Sequence, residues 1–350
     1  LWVGTADQGL LRAVSASSST IPDFIAVAAT SAARSISSLQ MDAMGTLWVG
    51  TETQGLLAVT PMSQDNADGE TLVAQVFQHD PSAAGSLPDN HVRTLFIDNN
   101  EQLWVGLENG ILARRDRLAE TEGTAGQWWF TPFELNTDNG RRPATDLLQS
   151  KNGDIWITTN GGGLLRWPVE QQARGETRFT HFTKASGLPS DYLRAVLEDQ
   201  TGQLWISSTR GLVRFDPTSL KLRQFNRRNG LRGDRFYSGS KLVSRSGRLY
   251  FGGQQGLVGF YPTAISQLKT APRLTLSAHD RSDQLIRTFS GAQALPPIVL
   301  NAGTDFVEFQ FAALQFIAPE QNQYQYHLEG FDEQWHQPGP ALTATYTGLP

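Results

Sequence analysis

The residues of this 350-residue chain best suited to chemistry are scattered. Six histidines, His79, His91, His181, His279, His327 and His336, lack the paired spacing of a zinc-binding helix, so a solvated or hydrogen-bonded imidazole is the default reading of each. There is no Gly-x-Ser-x-Gly elbow, and no Ser, His and Asp assemble into a triad. Gly161-Gly162-Gly163 has no Lys-Ser/Thr after it and no helix start to supply a dipole, so it reads as a turn and not a phosphate cradle. Asp98-Asn99-Asn100 lacks the glycine and the distant glutamate of a calcium loop. A polysaccharide-cleaving site would need two carboxylates about 5 to 10 Å apart. Glu52 and Glu108 are the candidates among the Gly turns, and both fall where solvent is expected. No catalytic constellation, metal site or cofactor is therefore expected.

What remains is binding. Equivalent loops carry different side chains: Asn90, His91 and Arg93; Asp191, Tyr192 and Arg194; Asp234, Arg235 and Tyr237; with Arg210 and Glu108 nearby. Any one of these is an ordinary solvated residue taken alone. As a set, variation on a regular scaffold is where binding resides. The mixed charges and rings suit a polar or anionic small molecule or glycan, held by arginine forks and ring faces.

The scaffold is a repeat. The stretch GLPSDYLRAVLEDQTGQLWISSTRGLVRFDP, from Gly187 to Pro217, reads as short strands separated by tight turns, because five-residue runs of β-branched, leucine and aromatic residues are bounded by Gly, Asp and Pro. Its core recurs as LWVGTADQGLL, LWVGTETQGLL, LWVGLENGIL, IWITTNGGGLL and LYFGGQQGLV. Marks at Trp2, Trp48, Trp104, Trp156, Trp205 and Tyr250 give intervals of 45 to 56 residues, the period of a β-propeller with four strands per blade. In a blade of that kind, the loop leading into the inner strand and the Gly turn after the LW strand share one face. The Asp-x-x-Gly hairpins at Asp42 and Asp199, and the Asp98 variant with Glu101 for Gly, lie on the other. The repeated Trp residues read as inter-blade packing, and Trp128-Trp129 as outer-strand packing. The Asp199-x-x-Gly202-x-x-Trp205 spacing is one residue longer than a sialidase Asp box and reads as a hairpin turn. Ser15 to Thr20 reads as a surface loop.

Composition narrows the class. Thirty-three Gly and 17 Pro fit a turn-rich chain; a net charge of −5 without a basic block gives no nucleic-acid footprint; and the absence of Cys excludes disulfides and thiolate metal sites. No apolar run reaches the roughly 18 to 20 residues that span a bilayer, and both ends read as cut from something longer. The propeller repeats are expected over residues 1–265. From 272 to 350, longer alternating strands at Arg273–Ser277, Phe306–Phe311, Tyr324–Leu328 and Leu342–Tyr346 suit an incomplete immunoglobulin-like sandwich, with 265–271 as linker. The expected fold class is thus all-β, a propeller of about six visible repeats followed by a sandwich.

The pattern LWVGT…GLxR, with Asp-x-x-Gly before it and Gly187-Leu188-Pro189 ahead of that, resembles the two-component-regulator propeller repeat. Phe309 to Phe316, Pro319, Tyr324-Gln-Tyr-His-Leu-Glu-Gly-Phe-Asp-Glu-Gln-Trp335 and Tyr346 to Pro350 resemble the triple-tyrosine (Y_Y_Y) domain that follows such propellers. Departures are His327 for the commoner Arg, Thr158 and Ser207 for Gly, and no GLP before the second and fourth units. The resemblance implies the periplasmic, ligand-sensing part of a bacterial inner-membrane receptor. A transmembrane segment beyond this chain would join it to a histidine kinase, often a hybrid, or to a diguanylate cyclase. It also implies a homodimer contact through the sandwich. A secreted propeller enzyme or a scaffold acting on polysaccharide is the alternative of another class.

Overall fold

A computed structural model of the chain describes residues 1–14, 22–61, 72–117, 128–138, 140–265, 274–281, 284–290, 306–313, 324–338 and 342–348. The expected surface loop at 15–20, most of the linker, Arg273, 314–316, Pro319 and the last two residues of the Y_Y_Y signature lie outside them. The chain divides into two compact units, Leu1–Ala264 and Ile265–Pro350.

Among its described residues the first unit holds six antiparallel sheets of three or four strands in sequence, each a meander in which neighbouring strands pair. Blade 1 is Trp2–Gly4, Leu10–Val14 and Asp23–Ala26; blade 2 is Ile36–Met41, Leu47–Thr51, Leu56–Pro61 and Leu72–Phe77. Blade 3 is Val92–Ile97, Leu103–Leu107, Ile111–Arg117 and Trp128–Glu134; blade 4 is Ala144–Gln149, Ile155–Thr159, Leu164–Trp167 and Thr180–Phe182. Blade 5 is Leu193–Glu198, Leu204–Ser208, Gly211–Phe215 and Leu222–Phe225; blade 6 is Phe236–Val243, Leu249–Gly253 and Gly256–Phe260. Two features were not anticipated: a small hairpin pairing Asn136–Thr137 with Gly140–Arg141, and a five-residue helix, Val169–Ala173, that follows Pro168.

The second strands of blades 2 to 5 are buried along their whole length. Both faces are covered by adjacent sheets, which is why these runs carry no charged residue and do not alternate; their polar members, Thr51, Thr158, Thr159, Ser207 and Ser208, are buried as well. The repeated Trp marks the contact between blades. Trp205 stacks on Phe225 of its own outer strand at 5.4 Å and meets Phe260 of blade 6 at 4.7 Å. Trp156 meets Phe182 and Phe215 in the same way, and Trp104 meets Phe133 and Trp167. Arg115 lies between the rings of Trp48 and Trp128, at 4.2 and 4.1 Å, placing Trp128 in the outer-strand packing.

The Asp-x-x-Gly turn has a second role beyond the hairpin. In blade 5, one carboxylate oxygen of Asp199 accepts from Thr201 N at 2.8 Å and Gln203 N at 3.1 Å, and the other from the Trp205 indole at 2.8 Å. Asp42 and Asp98 repeat this with Trp48 and Trp104, and Ser150 substitutes on Trp156. The six-residue spacing from Asp to Trp is therefore one hydrogen-bonded unit that ties the turn to the core.

At the turn of blade 3, Glu101 takes the glycine position with φ +58°. A left-handed conformation costs a side-chain-bearing residue roughly 1–2 kcal/mol, part of which glycine's greater chain entropy offsets. Glu101→Gly should therefore raise stability by about 0.5–1 kcal/mol, read as a higher denaturation midpoint with an unchanged m-value. A loss instead would mean that the Glu101 carboxylate bond from Ala43 N, at 3.3 Å, outweighs the strain.

In the second unit the described strands form one four-stranded antiparallel sheet, ordered Leu285–Ser290, Leu274–His279, Phe306–Ala313 and Thr343–Thr347. The strand Leu285–Ser290 was not anticipated; it follows a turn in which Asp280 accepts from Gln284 N at 2.9 Å. Tyr324–Leu328, expected as a strand, forms instead a single bridge, Tyr326 to His336, closed by two 2.9 Å backbone bonds. Its alternating side chains are explained by core packing without a ladder: Tyr326 and Leu328 pack with Phe309 and Phe311 against Val307, Ala344 and Tyr346. The tyrosines of the signature have distinct roles. Tyr324 OH accepts from Ala313 N at 3.1 Å, the Tyr326 ring stacks on Phe311, and Tyr346 OH donates to Asp332 at 2.6 Å.

That last bond, with the Leu328 N–H, holds the Asp332 carboxyl below its ordinary value, while burial and then Asp332 push Tyr346 up. A depressed Asp contributes stability above its unfolded pKa and loses it as pH falls through the folded one. Tyr346→Phe should therefore be less stable than the parent at neutral pH, with the deficit fading as pH drops below 3.8, followed by urea unfolding across the acid range. A deficit that persists unchanged in acid would assign it to lost packing.

Candidate functional site

Antiparallel pairing puts the loop leading into each inner strand and the Gly turn between the second and third strands at the same end of the blade. The backbone register proves it: Glu52 N donates to Ser35 O, Glu108 N to His91 O, Asn160 N to Pro143 O, Thr209 N to Tyr192 O and Gln254 N to Arg235 O. Thr209, and not Arg210, therefore stands in register with Glu52 and Glu108. Arg210 is the residue before the turn glycine.

Each inner strand carries a bulge near its start, between Ile36 and Ser38, Val92 and Thr94, Ala144 and Asp146, and Leu193 and Ala195, with a wider irregularity from Phe236 to Lys241. A bulge re-aims one side chain. The re-aimed residues are Ser37, Arg93, Thr145 and Arg194. Ser37 and Thr145 donate to the first carbonyl of the next inner strand, Val92 O at 2.6 Å and Leu193 O at 3.0 Å.

At the same position Arg93 and Arg194 present guanidinium groups. Arg93 pairs with Glu108, which ties down one of the two carboxylates a hydrolytic site would have needed. Burial lowers the Arg93 pKa against the pull of Glu52. Burial, then the charge of Arg93, lowers that of Arg194. Arg194 is held only by longer bonds, to Asn160 Oδ1 at 3.5 Å and Ser238 Oγ at 3.3 Å. Glu108 and Glu52 balance Arg93, so the half-buried and weakly bonded Arg194 is the cation left to meet an anion or a hydroxyl-rich ligand here. Tyr237 follows in the wide bulge of blade 6 and is 55% exposed, and Tyr192 is 52% exposed, so both offer ring faces to solvent.

Asn90, Asp191 and Asp234 occupy one repeated position and are engaged by the scaffold. Their side chains accept from His79 N, Lys184 N and Arg227 N at 2.7, 2.8 and 2.9 Å. Their carbonyls accept from the turn glycine of the preceding blade, Gly55, Gly163 and Gly211. At Gly211 φ is +100° and a Cβ would overlap the Phe225 carbonyl, so the turn needs glycine for this inter-blade bond. The same bond uses Gly161 and Gly163 on Asp191 O, which gives the Gly161-Gly162-Gly163 run its structural role. His91 is half-buried and its amide bonds Asp89 at 3.0 Å.

Between blades 5 and 6, Arg210, Asp234 and Arg235 come together around a cavity of about 400 Å³ that also includes Gln224, Arg227 and Gln254. Gln224 and Arg227 were not among the sequence candidates, and neither were Asn160 and Ser238. Their contribution depends on strands and loops brought together from different repeats.

Residues 86–109, which contain Asn90, His91, Arg93 and Glu108, match the family described as two component regulator propeller. The six-sheet unit is thus propeller-like, and part of its third blade is a repeat of that type. The chain is 26% identical over 268 residues to Histidine kinase P4 of Formosa agariphila, across 73% of this chain and 19% of that protein. The fold is shared with the extracellular domain described for the hybrid two component system BT3049 of B. thetaiotaomicron, with a TM-score of 0.70 and 18% identity over 100% of this chain and 44% of that one. The corresponding domain of BT4673 gives a TM-score of 0.51 and 16% identity over 90% and 52%. The chain therefore spans about a fifth of the kinase it matches and under half of the first of these solved domains.

Proposed function

We propose that this chain is the ligand-sensing, extracytoplasmic region of a hybrid two-component sensor histidine kinase, facing the periplasm of a bacterium. The observation that carries the reading is likeness along the whole chain to an extracellular domain of a hybrid two-component system, together with the histidine kinase match over most of it. The region acts by binding and transmission. A ligand on the loop face, or contact between paired receptors, would favour one arrangement, and its differential affinity sets how far the equilibrium moves. On this reading the second unit is an immunoglobulin-like Y_Y_Y sandwich that serves as dimer contact. A diguanylate cyclase is the other output compatible with such a sensor.

The reading frame beyond Pro350 tests this. A membrane-spanning segment followed by a kinase upholds it, a cyclase in that place changes the output, and termination just after the sandwich overturns it. The loop-face assignment has a separate test in alanine changes at Arg93, Arg194, Tyr192 and Tyr237. These should weaken binding of small polar or glycan ligands while leaving the unfolding midpoint in place. Affinity unaffected by all four would remove the site from this face.

A further inference from the structure

Four blade junctions share one staple, the turn glycine amide on the carbonyl that precedes the next inner strand: Gly9 on Arg34, Gly55 on Asn90, Gly163 on Asp191 and Gly211 on Asp234. The residues flanking each staple are therefore comparable. They are Gln8 and Ser35, Gln54 and His91, Gly162 and Tyr192, and Arg210 and Arg235. Only the last pair sets two cations across the cleft. At the preceding junction the Tyr192 ring lies against Gly161, whereas between blades 5 and 6 the space remains a cavity of about 400 Å³.

The charges around this cavity are unbalanced. Arg210, Arg227 and Arg235 face a single carboxylate, Asp234, in a chain whose net charge is −5. Asp234 is already occupied: it accepts from Arg227 N at 2.9 Å, and the Arg227 guanidinium lies 3.8 Å away. The Arg210 and Arg235 guanidinium groups have no hydrogen-bond, ion-pair or ring partner among the described residues, and both side chains are exposed. Their backbones, however, are fixed: Arg210 O accepts from the Gln224 amide at 2.8 Å, and Arg235 O from Gln254 N at 3.1 Å. Two arginines on fixed backbones line one polar cleft without a protein carboxylate of their own, and a guanidinium fork matches the paired oxygens of an oxyanion.

We propose that this cleft is a binding site for a ligand bearing a carboxylate, sulfate or phosphate group, held between Arg210 and Arg235. The proposal deepens the sensor reading by assigning the ligand's charge, but the binding event does not depend on what lies downstream. It is tested on this chain by arginine side-chain NMR, titrating sodium sulfate, sodium phosphate and sodium acetate against chloride at constant ionic strength. Saturable shifts of the Arg210 and Arg235 Nε–H signals are expected with at least one of the three, and the anion that gives them identifies the group recognised. R210Q and R235Q should each weaken that binding roughly tenfold, the loss of one good charge-assisted contact, while R174Q, an exposed arginine elsewhere, should leave it unchanged. Absence of saturable shifts with all three anions, or equal affinity in the R210Q/R235Q double variant, overturns the proposal. Neither result bears on the reading frame that tests the sensor assignment.

Discussion

Lys241→Met is expected to destabilise the propeller unit by about 3–5 kcal/mol, because it strands a buried carboxylate. Lys241 comes from the inner strand of blade 6 and reaches across blade 5 to blade 4. Its Nζ lies 2.7 Å from Asp146 Oδ2 and donates to Leu147 O at 2.9 Å and Val196 O at 3.1 Å. Asp146 Oδ2 also accepts from Val196 N at 2.8 Å. The pair thus joins three inner strands at one point, with side-chain exposures of only 6% for Asp146 and 21% for Lys241. Removing the cation leaves the carboxylate and two carbonyls short of donors. Asp146→Asn combined with Lys241→Met should recover most of the loss, since a neutral amide carries no uncompensated charge.

The defect should also depend on pH. Burial raises the Asp146 pKa above the ordinary value of 3.8, and Lys241 opposes that rise. A raised carboxyl binds protons more readily in the folded chain, so its contribution to stability falls as pH rises through the folded pKa. Without Lys241 the rise is larger, and protonation becomes the only way to neutralise the group. The Lys241→Met deficit, measured by urea denaturation, should therefore be smaller near about pH 5 than near about pH 8. A cost under about 1 kcal/mol, or one that ignores pH, would show that the pair is solvated in solution and does not clamp the blades.

Trp205→Ala should cost a similar amount, about 3–5 kcal/mol, through loss of a large buried ring and the cavity left behind. The indole is 1% exposed and packs on aromatic rings of two blades, Phe225 and Phe260. Because Phe260 belongs to the last strand of blade 6, amides of that blade should lose hydrogen-exchange protection more than those of blade 3. Trp205→Phe separates packing from hydrogen bonding. It keeps a ring but leaves one oxygen of the buried Asp199 without its indole donor, at a cost of about 1–3 kcal/mol. Equal losses in the alanine and phenylalanine variants would place the whole effect in the Asp199 bond and none in the packing.

The two kinds of residue behind these predictions were not equally legible. Recurrence alone marks Trp205 as inter-blade packing, whereas its bond to Asp199 appears only in the structure. Lys241 and Asp146 cannot be read as a pair from the chain, because nothing near either residue names the other. Among the binding candidates, Arg93 and Arg194 read as loop residues, whereas both lie inside inner strands at a bulge that aims them. The bulge has no sequence signature beyond one extra residue in a strand. Asn90, Asp191 and Asp234 read as exposed binding groups, whereas their side chains and carbonyls hold neighbouring loops together.

By itself the sequence determined what is local: five-residue buried strands, Asp and Gly turns with their left-handed glycines, the six-residue link from Asp to Trp, and the repeat that sets one sheet after another. Each depends on groups within a few residues, where turn chemistry and burial of one run suffice. Tertiary structure alone decided how the sheets address one another. Thr145 meets Leu193 across 48 positions and Lys241 meets Leu147 across 94, distances at which residue type says nothing about who will be opposite. The same holds for the cleft at Arg210 and Arg235. A junction's charge is the product of two repeats brought side by side, and only their packing determines which side chains share it.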